Sequence, residues 1–268
     1  MTTSTAAQPS PLAQSSGVLR SELCKLRSVR STFWALAAAV AFNVVVAAAL
    51  AIFLPGRLSP HEKASIDSVR VSLGGLHLSQ LAIGLLGVLT ITSEYGTGMI
   101  RATLAAVPQR RLMLAAKAIV LAAAALVTGT GASFAAYLVF EAFLPAGDAM
   151  RTSLADPGVL RAVTGAGLYL AVLGLLAMAV AGLIRHTAGA ITAVIGFVLV
   201  LAPLSQLIPD PAGKYIHAYL PTEAGQLVVQ THRAAGDVLS WWQGFGVFVL
   251  WVVVLLAAAG WLLQRRDA

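Results

Sequence analysis

The chain has 268 residues, of which 58% are hydrophobic and only 11% charged, and its mean hydropathy is +0.83. Soluble domains carry about 25% charged residues, so the composition excludes an ordinary water-soluble fold and reads as an integral membrane protein. A net charge of +7 would suit nucleic acid, but the cations are scattered rather than gathered on one polar domain, and no nucleic-acid partner is expected. The lone cysteine, Cys24, excludes an internal disulfide framework and a multi-cysteine metal site.

Residues 1–16, rich in Thr, Ser, Ala, Gln and Pro, read as a disordered tail. Residues 17–32 read as an amphipathic interface helix. Leu19, Leu23, Leu26, Val29 and Phe33 recur at helical spacing, with Arg20, Lys25, Arg27 and Arg30 mostly off that stripe. Such a helix lies in the headgroup layer with its cations toward anionic lipid. Its bland reading is an orientation signal; the sharper one adds contact with a cytoplasmic partner.

Residues 33–268 form a six-span domain. A helix needs about 20 apolar residues to cross a hydrocarbon core of about 30 Å, and the stretches 33–54, 71–92, 118–140, 162–184, 187–208 and 244–263 qualify. The first is too long for the apolar region of a cleaved signal and follows a long polar leader, so it is expected to be retained. Eleven of the 18 Lys and Arg residues fall on the side that holds both termini, and the acidic residues favour the other. The positive-inside rule then puts both termini and the segment 93–117 in the cytoplasm.

That segment, "SEYGTGMIRATLAAVPQRRLMLAAK", carries Glu94 against Arg101, Arg110, Arg111 and Lys117. Ile100, Leu104 and Val107 line one side of a short helix that Pro108 ends or kinks. Glu94 and Arg101 lie about 10 Å apart along a helix, too far for a simple pair, so each needs another partner. After the proline, Arg110 and Lys117 share a helix face, and Lys117 is expected to snorkel toward the headgroups. Connections between bundle helices usually take about 2–8 residues. This longer one is read as a docking helix rather than a solvated loop.

Within the spans the conspicuous polar residues include Asn43, His77 and Gln80, candidates for lining a pathway. The competing reading gives each a bond to a neighbouring helix. Gly129 and Gly131 are expected to allow close helix packing, and Pro203 to kink the fifth span. Segment 209–243 is expected either to re-enter the membrane or to cap an outer exit. The histidines show no metal-ligand spacing, and no grouping suggests a catalytic residue.

The order Glu94-Tyr95, Gly98, Arg101, Thr103-Leu104, Pro108, Arg110 and Lys117 resembles the first cytoplasmic loop of permease subunits in the type-2 family of ABC transporters. The stretch "GLIRHTAGAI" (182–191) is similar to that family's tight hairpin between the fourth and fifth spans, and "YLPTEAGQLV" (219–228) to its outer segment before the last span. The leader "SELCKLRSVRSTFW" and the ending "WLLQRRDA" also fit. The resemblance implies a half-transporter in the cell (inner or plasma) membrane. It would pair with a second permease subunit, identical or not, and be driven by a separate cytoplasmic ATPase that binds ATP and magnesium. It also implies that residues 94–107 form a coupling helix, with Glu94, Gly98, Arg101, Leu104, Pro108 and Arg110 as the coupling residues. The chain itself has no G-x-x-x-x-G-K-[ST] phosphate loop, since "PAGKY" lacks both the earlier glycine and the following hydroxyl. It is therefore expected not to be an enzyme and to hold no cofactor of its own. The expected cargo is hydrophobic or amphipathic and the expected direction export, with import as the alternative. Two rivals remain: an ion- or proton-coupled carrier, and a membrane anchor or sensor that moves no cargo.

Overall fold

The computed structural model describes residues 11–106, 109–233 and 236–265. Every regular element among them is helical, and six helical stretches are long and apolar enough to cross a membrane: Arg30–Arg57, Leu76–Gly96, Arg110–Phe143, Val159–Ile184, Thr187–Ser205 and Trp241–Arg265. The chain is an all-α, multi-pass membrane protein.

Ahead of the spans, helix α1 (Pro11–Ser28) is separated by the extended residue Val29 from α2 (Arg30–Phe53). The interface helix thus begins before residue 17 and stops before residue 32. Two short helices follow, α3 (Pro60–Ser65) and α4 (Ser68–Ser72). Ser59 and Glu62 close a reciprocal capping box on α3, while the Asp67 carboxylate accepts the Arg70 amide at the start of α4. Helix α5 (Leu76–Gly96) leads through a turn to the short α6 (Met99–Ala106), then to α7 (Arg110–Phe143). At 1.5 Å per residue α7 is about 50 Å long, so it overreaches the hydrocarbon core by several turns.

Helix α8 (Val159–Ile184) is the centre of the molecule, packed by α5, α7 and the last helix, α13 (Trp241–Arg265). Its inward residues, among them Ala162, Ala166, Leu170, Leu173, Leu176 and Ala177, are fully buried. Small residues set the crossings, because lipid is as apolar as leucine and helix association in the bilayer depends on close packing. A side chain built on Gly87 of α5 would strike the Gly174 carbonyl oxygen, and one on Gly167 would strike Thr130 of α7. Gly129 also faces α8, where a Cβ would lie 3.1 Å from Leu170, but Gly131 looks into open space and does not share that role.

The turn after α8 is two residues long. Arg185 takes the left-handed conformation (φ 61°), and the His186 ring nitrogen accepts the Gly189 amide to start α9 (Thr187–Ile195). The fifth span continues through a π-helical stretch, Gly196–Val200, into α10 (Leu201–Ser205). Pro203 offers no amide and crowds the carbonyl four residues earlier, and the wider register absorbs this just upstream. Next come α11 (Ala212–Tyr219), α12 (Pro221–Gln226) and a 3-10 turn, Leu227–Val229. Thr222, Ala224, Val228 and Val229 are buried against α8 and α13, so this part of 209–243 is a wedge in the bundle rather than a loop over it.

Gly87→Val should destabilise the chain by about 3 kcal/mol through overpacking at the α5–α8 crossing. Gly131→Val should change stability by less than about 0.5 kcal/mol. Thermal unfolding of both purified variants in one detergent checks the contrast.

Candidate functional site

One end of the bundle gathers α1, the C-terminal ends of α5 and α13, the N-terminal turns of α7, and α6. Helix α5 closes at Thr97 and Gly98, whose positive φ of 71° is the usual glycine signature of a helix end. Glu94 therefore belongs to the last turn of α5, and the helix that breaks away is Met99–Ala106 rather than the whole of 94–107. Ile100 anchors α6 by packing against Met113 and Leu263. Met99 (48% exposed), Ala102 and Ala105 lie at three-residue intervals and form an uncovered apolar strip along it.

Beneath α6, four charges from three helices converge. The Lys117 ammonium of α7, 3% exposed, donates to Glu94 Oε1 at 2.6 Å and to Glu22 Oε2 at 2.7 Å. The Lys25 ammonium of α1 donates to Glu22 Oε1 at 2.8 Å and to Glu94 Oε1 at 2.9 Å, and reaches Thr103 Oγ1 of α6 at 3.5 Å. Two carboxylates and two ammoniums cancel, so the cluster has no net charge. Removing one partner of such a buried set leaves an uncompensated charge and costs about 3–5 kcal/mol. Burial alone would lower the Lys25 pKa, but hydrogen bonds to Glu22 and Glu94 outweigh it and hold the ammonium above its ordinary 10.5.

A second set of contacts fastens α13 to the same end. Helices leave their last carbonyls unpaired, and here Arg110 donates to the Leu263 carbonyl and Arg185 to that of Leu262. Arg111 reaches Gln264 Oε1 at 3.2 Å. The Arg185 guanidinium also lies 5.3 Å from the centre of the Tyr95 ring. These contacts hold the left-handed turn in place.

The residues singled out for coupling consequently divide. Glu94 and Arg110 are spent inside the chain, Gly98 makes the turn, and Arg101 and Leu104 lie in α6 with side chains outside the described residues, as is Pro108. Lys117 does not snorkel, because two carboxylates hold it inside. On α1, Arg20, Arg27 and Arg30 are exposed while Lys25 turns inward with Glu22. Leu23 and Val29 of the apolar stripe face outward, together with Phe33 at the start of α2 (66% exposed). That part of the stripe is free for lipid, while Leu19 and Leu26 are half-buried and the face turned to the bundle carries Glu22 and Lys25 beside the buried Val18.

The pathway candidates do not converge either. Asn43 is fully buried and donates to Ser79 Oγ at 2.8 Å, tying α2 to α5. Gln80 accepts the Tyr169 hydroxyl at 2.7 Å, and Gln226 of α12 donates to that same oxygen at 3.3 Å. His77 is exposed, 3.3 Å from the Gly74 carbonyl. Of the four cluster residues, Glu22 was not marked by spacing, and Lys117 was marked only as a snorkelling lysine. Their signal was an acidic residue inside a basic helix and a lysine two turns into a span. No known protein family matches the chain, and no characterised protein matches it.

Lys117→Met should lower stability by about 3–5 kcal/mol, and Lys117→Met with Glu94→Leu, which leaves the Glu22–Lys25 pair balanced, should recover more than half of that loss. Because the Lys25 pKa is raised on folding, its contribution is complete below pH 10.5 and disappears as pH rises through the higher folded value. The gap in thermal midpoint between the native chain and Lys25→Met should stay constant through neutral pH and close on the alkaline side.

Proposed function

We propose that the chain is the permease subunit of an ABC-type transporter in the cell membrane, working as one half of a two-permease assembly. A separate ATPase would supply the work, and export of a hydrophobic or amphipathic compound is the favoured activity. The observation that carries this reading is α6: a short helix set outside the spans, its inner side fixed by Ile100 and its outer apolar strip uncovered. Such a strip suits the groove of a partner protein. Displacement of α6 would pass through the Gly98 turn to Glu94, and from there to α1 and α7 through the two lysines. A stiff connection of this kind moves spans as rigid bodies, where a floppy loop would absorb the motion.

The resemblance of the 93–117 segment, the two-residue hairpin after α8 and the helical wedge before α13 all support the same reading. The docking surface moves, however, from Glu94 and Arg110 to Met99, Ala102 and Ala105. One observation favours a second reading: Glu22, Lys25, Glu94 and Lys117 form the sort of buried ionisable cluster on which a proton-coupled carrier could draw. Against it, the cluster lies at the end of the bundle and every ammonium already bridges both carboxylates.

Ala102→Glu with Ala105→Glu should leave the thermal midpoint unchanged but weaken capture of the copurifying ATPase at least about tenfold, equivalent to about 1.4 kcal/mol. Pull-down from mild detergent and transport in whole cells report the effect. Undiminished capture, or solute movement in liposomes driven by a pH gradient without an ATPase, would overturn the proposal, the latter in favour of the carrier.

A further inference from the structure

A cavity of about 220 Å³ opens beside the charge cluster, between α1, α2, α5 and α7. Its wall includes Glu22, Lys25, Glu94 and Lys117 together with Ser28, Thr90 and Ser93. The hydrogen-bond accounting on this wall is lopsided. Thr90 spends its hydroxyl hydrogen on the Leu86 carbonyl at 2.8 Å, Ser93 on Leu89 at 2.6 Å and Ser28 on Lys25 at 3.1 Å. Each hydroxyl oxygen keeps lone pairs and no hydrogen to give. All three N–H groups of Lys25 are committed, and two of those on Lys117. Glu94 Oε2 is buried with no hydrogen-bond partner. Ser31 and Thr32 on the same wall keep hydroxyl hydrogens to give, but its charged oxygen without a partner is Glu94 Oε2, which suits an occupant that brings N–H groups and positive charge.

The polar cavity does not stand alone. Ser31 and Leu89 line both it and an adjoining groove of about 680 Å³ between α2, α5 and α9, whose other walls include Trp34, Phe42, Leu85 and Ile195. That groove is almost wholly apolar. A ligand filling both spaces has a donor-rich cationic head at one end and a hydrocarbon body at the other.

We infer that the cavity and groove together form a binding site for an amphipathic primary amine, its ammonium on the Thr90, Ser93 and Glu94 wall and its chain along α2, α5 and α9. A phosphate or carboxylate head would set a second negative charge against the unpaired Glu94 oxygen. A quaternary ammonium carries the charge but has no N–H to give. The site is argued from this chain alone, so its test needs no ATPase and its failure leaves the docking proposal standing.

The full chain in phosphatidylcholine nanodiscs, a lipid without N–H donors in its head, is loaded with hexadecylamine or, at equal content, hexadecyltrimethylammonium. Near-saturating amine should raise the thermal midpoint by about 5 °C, and the quaternary analogue by less than about 1 °C. Thr90→Val with Ser93→Ala should abolish the amine response while the unliganded midpoint stays put. If that double variant is itself destabilised, Ala38→Phe, which fills the apolar groove without touching the polar wall, should abolish the response instead. Equal responses to the two amphiphiles, an undiminished response in these variants, or no response overturns the site. Indifference in particles that hold two copies would assign the groove to a second subunit.

Discussion

The termini end of this molecule depends on four charges that cancel in a space nearly closed to water. Each ammonium needs both carboxylates, and the four side chains come from three helices. The arrangement therefore exists only when α1, the end of α5 and the start of α7 are all in place. Desolvating such a set is costly, and well-packed apolar residues commonly stabilise as much or more. What the charges supply instead is position. A Leu–Ala contact in lipid tolerates sliding and rotation, whereas Lys117 at 2.6 and 2.7 Å from two carboxylates does not. The register of α1 on the bundle is set by Lys25 and Glu22 more than by Leu23, which faces away.

Elsewhere the bundle relies on the opposite device. Around α8, helices approach until backbone meets backbone, and the polar bonds that remain are local and few. Asn43 to Ser79, and Tyr169 to both Gln80 and Gln226, are contacts between elements that fix which faces meet. Each satisfies a group that lipid could not. The core is thereby rigid at its middle through small residues and rigid at one end through charge. The fifth span, with its π-helical stretch before Pro203, has an irregular backbone ladder.

How much of this could be read from the residues alone follows from the range of the forces. The six spans were legible because hydropathy is a local sum over about 20 residues, and the hairpin after α8 because only two residues separate two apolar runs. The capping box at Ser59 and Glu62 is equally local, a pattern four residues long. The charge cluster was not. Its closest partners in sequence across helices, Glu94 and Lys117, are 23 residues apart, and Glu22 and Lys117 are 95 apart. No periodicity connects them until the α6 excursion is known to return α7 beside α5. The same blindness made Glu94 look outward. Its seven-residue separation from Arg101 correctly demanded another partner, but nothing local said the partner lay inside. His77 and Gln80 illustrate the converse: three residues apart on one helix, they still fall on different sides of the boundary between lipid and core.

The placement of the cluster gives it two neighbours at once, the uncovered helix α6 on one side and the acceptor-lined cavity on the other. Glu94 is common to both, since it ends the helix from which α6 departs and also forms part of the cavity wall. An ammonium arriving at that wall competes with Lys25 for the same carboxylate, and Lys25 is the least enclosed member, with 31% of its side chain exposed. Loosening Lys25 releases its hold on Glu94 and its reach to Thr103 on α6, but leaves Lys117 holding α5 to α7 and, through Glu22, to α1. Occupancy of the cavity would then bias where α6 sits, and by reciprocity a partner gripping α6 would change how tightly the cavity holds its occupant. That reciprocity needs no motion of the packed core around α8. It requires only that one lysine has two carboxylates to choose between.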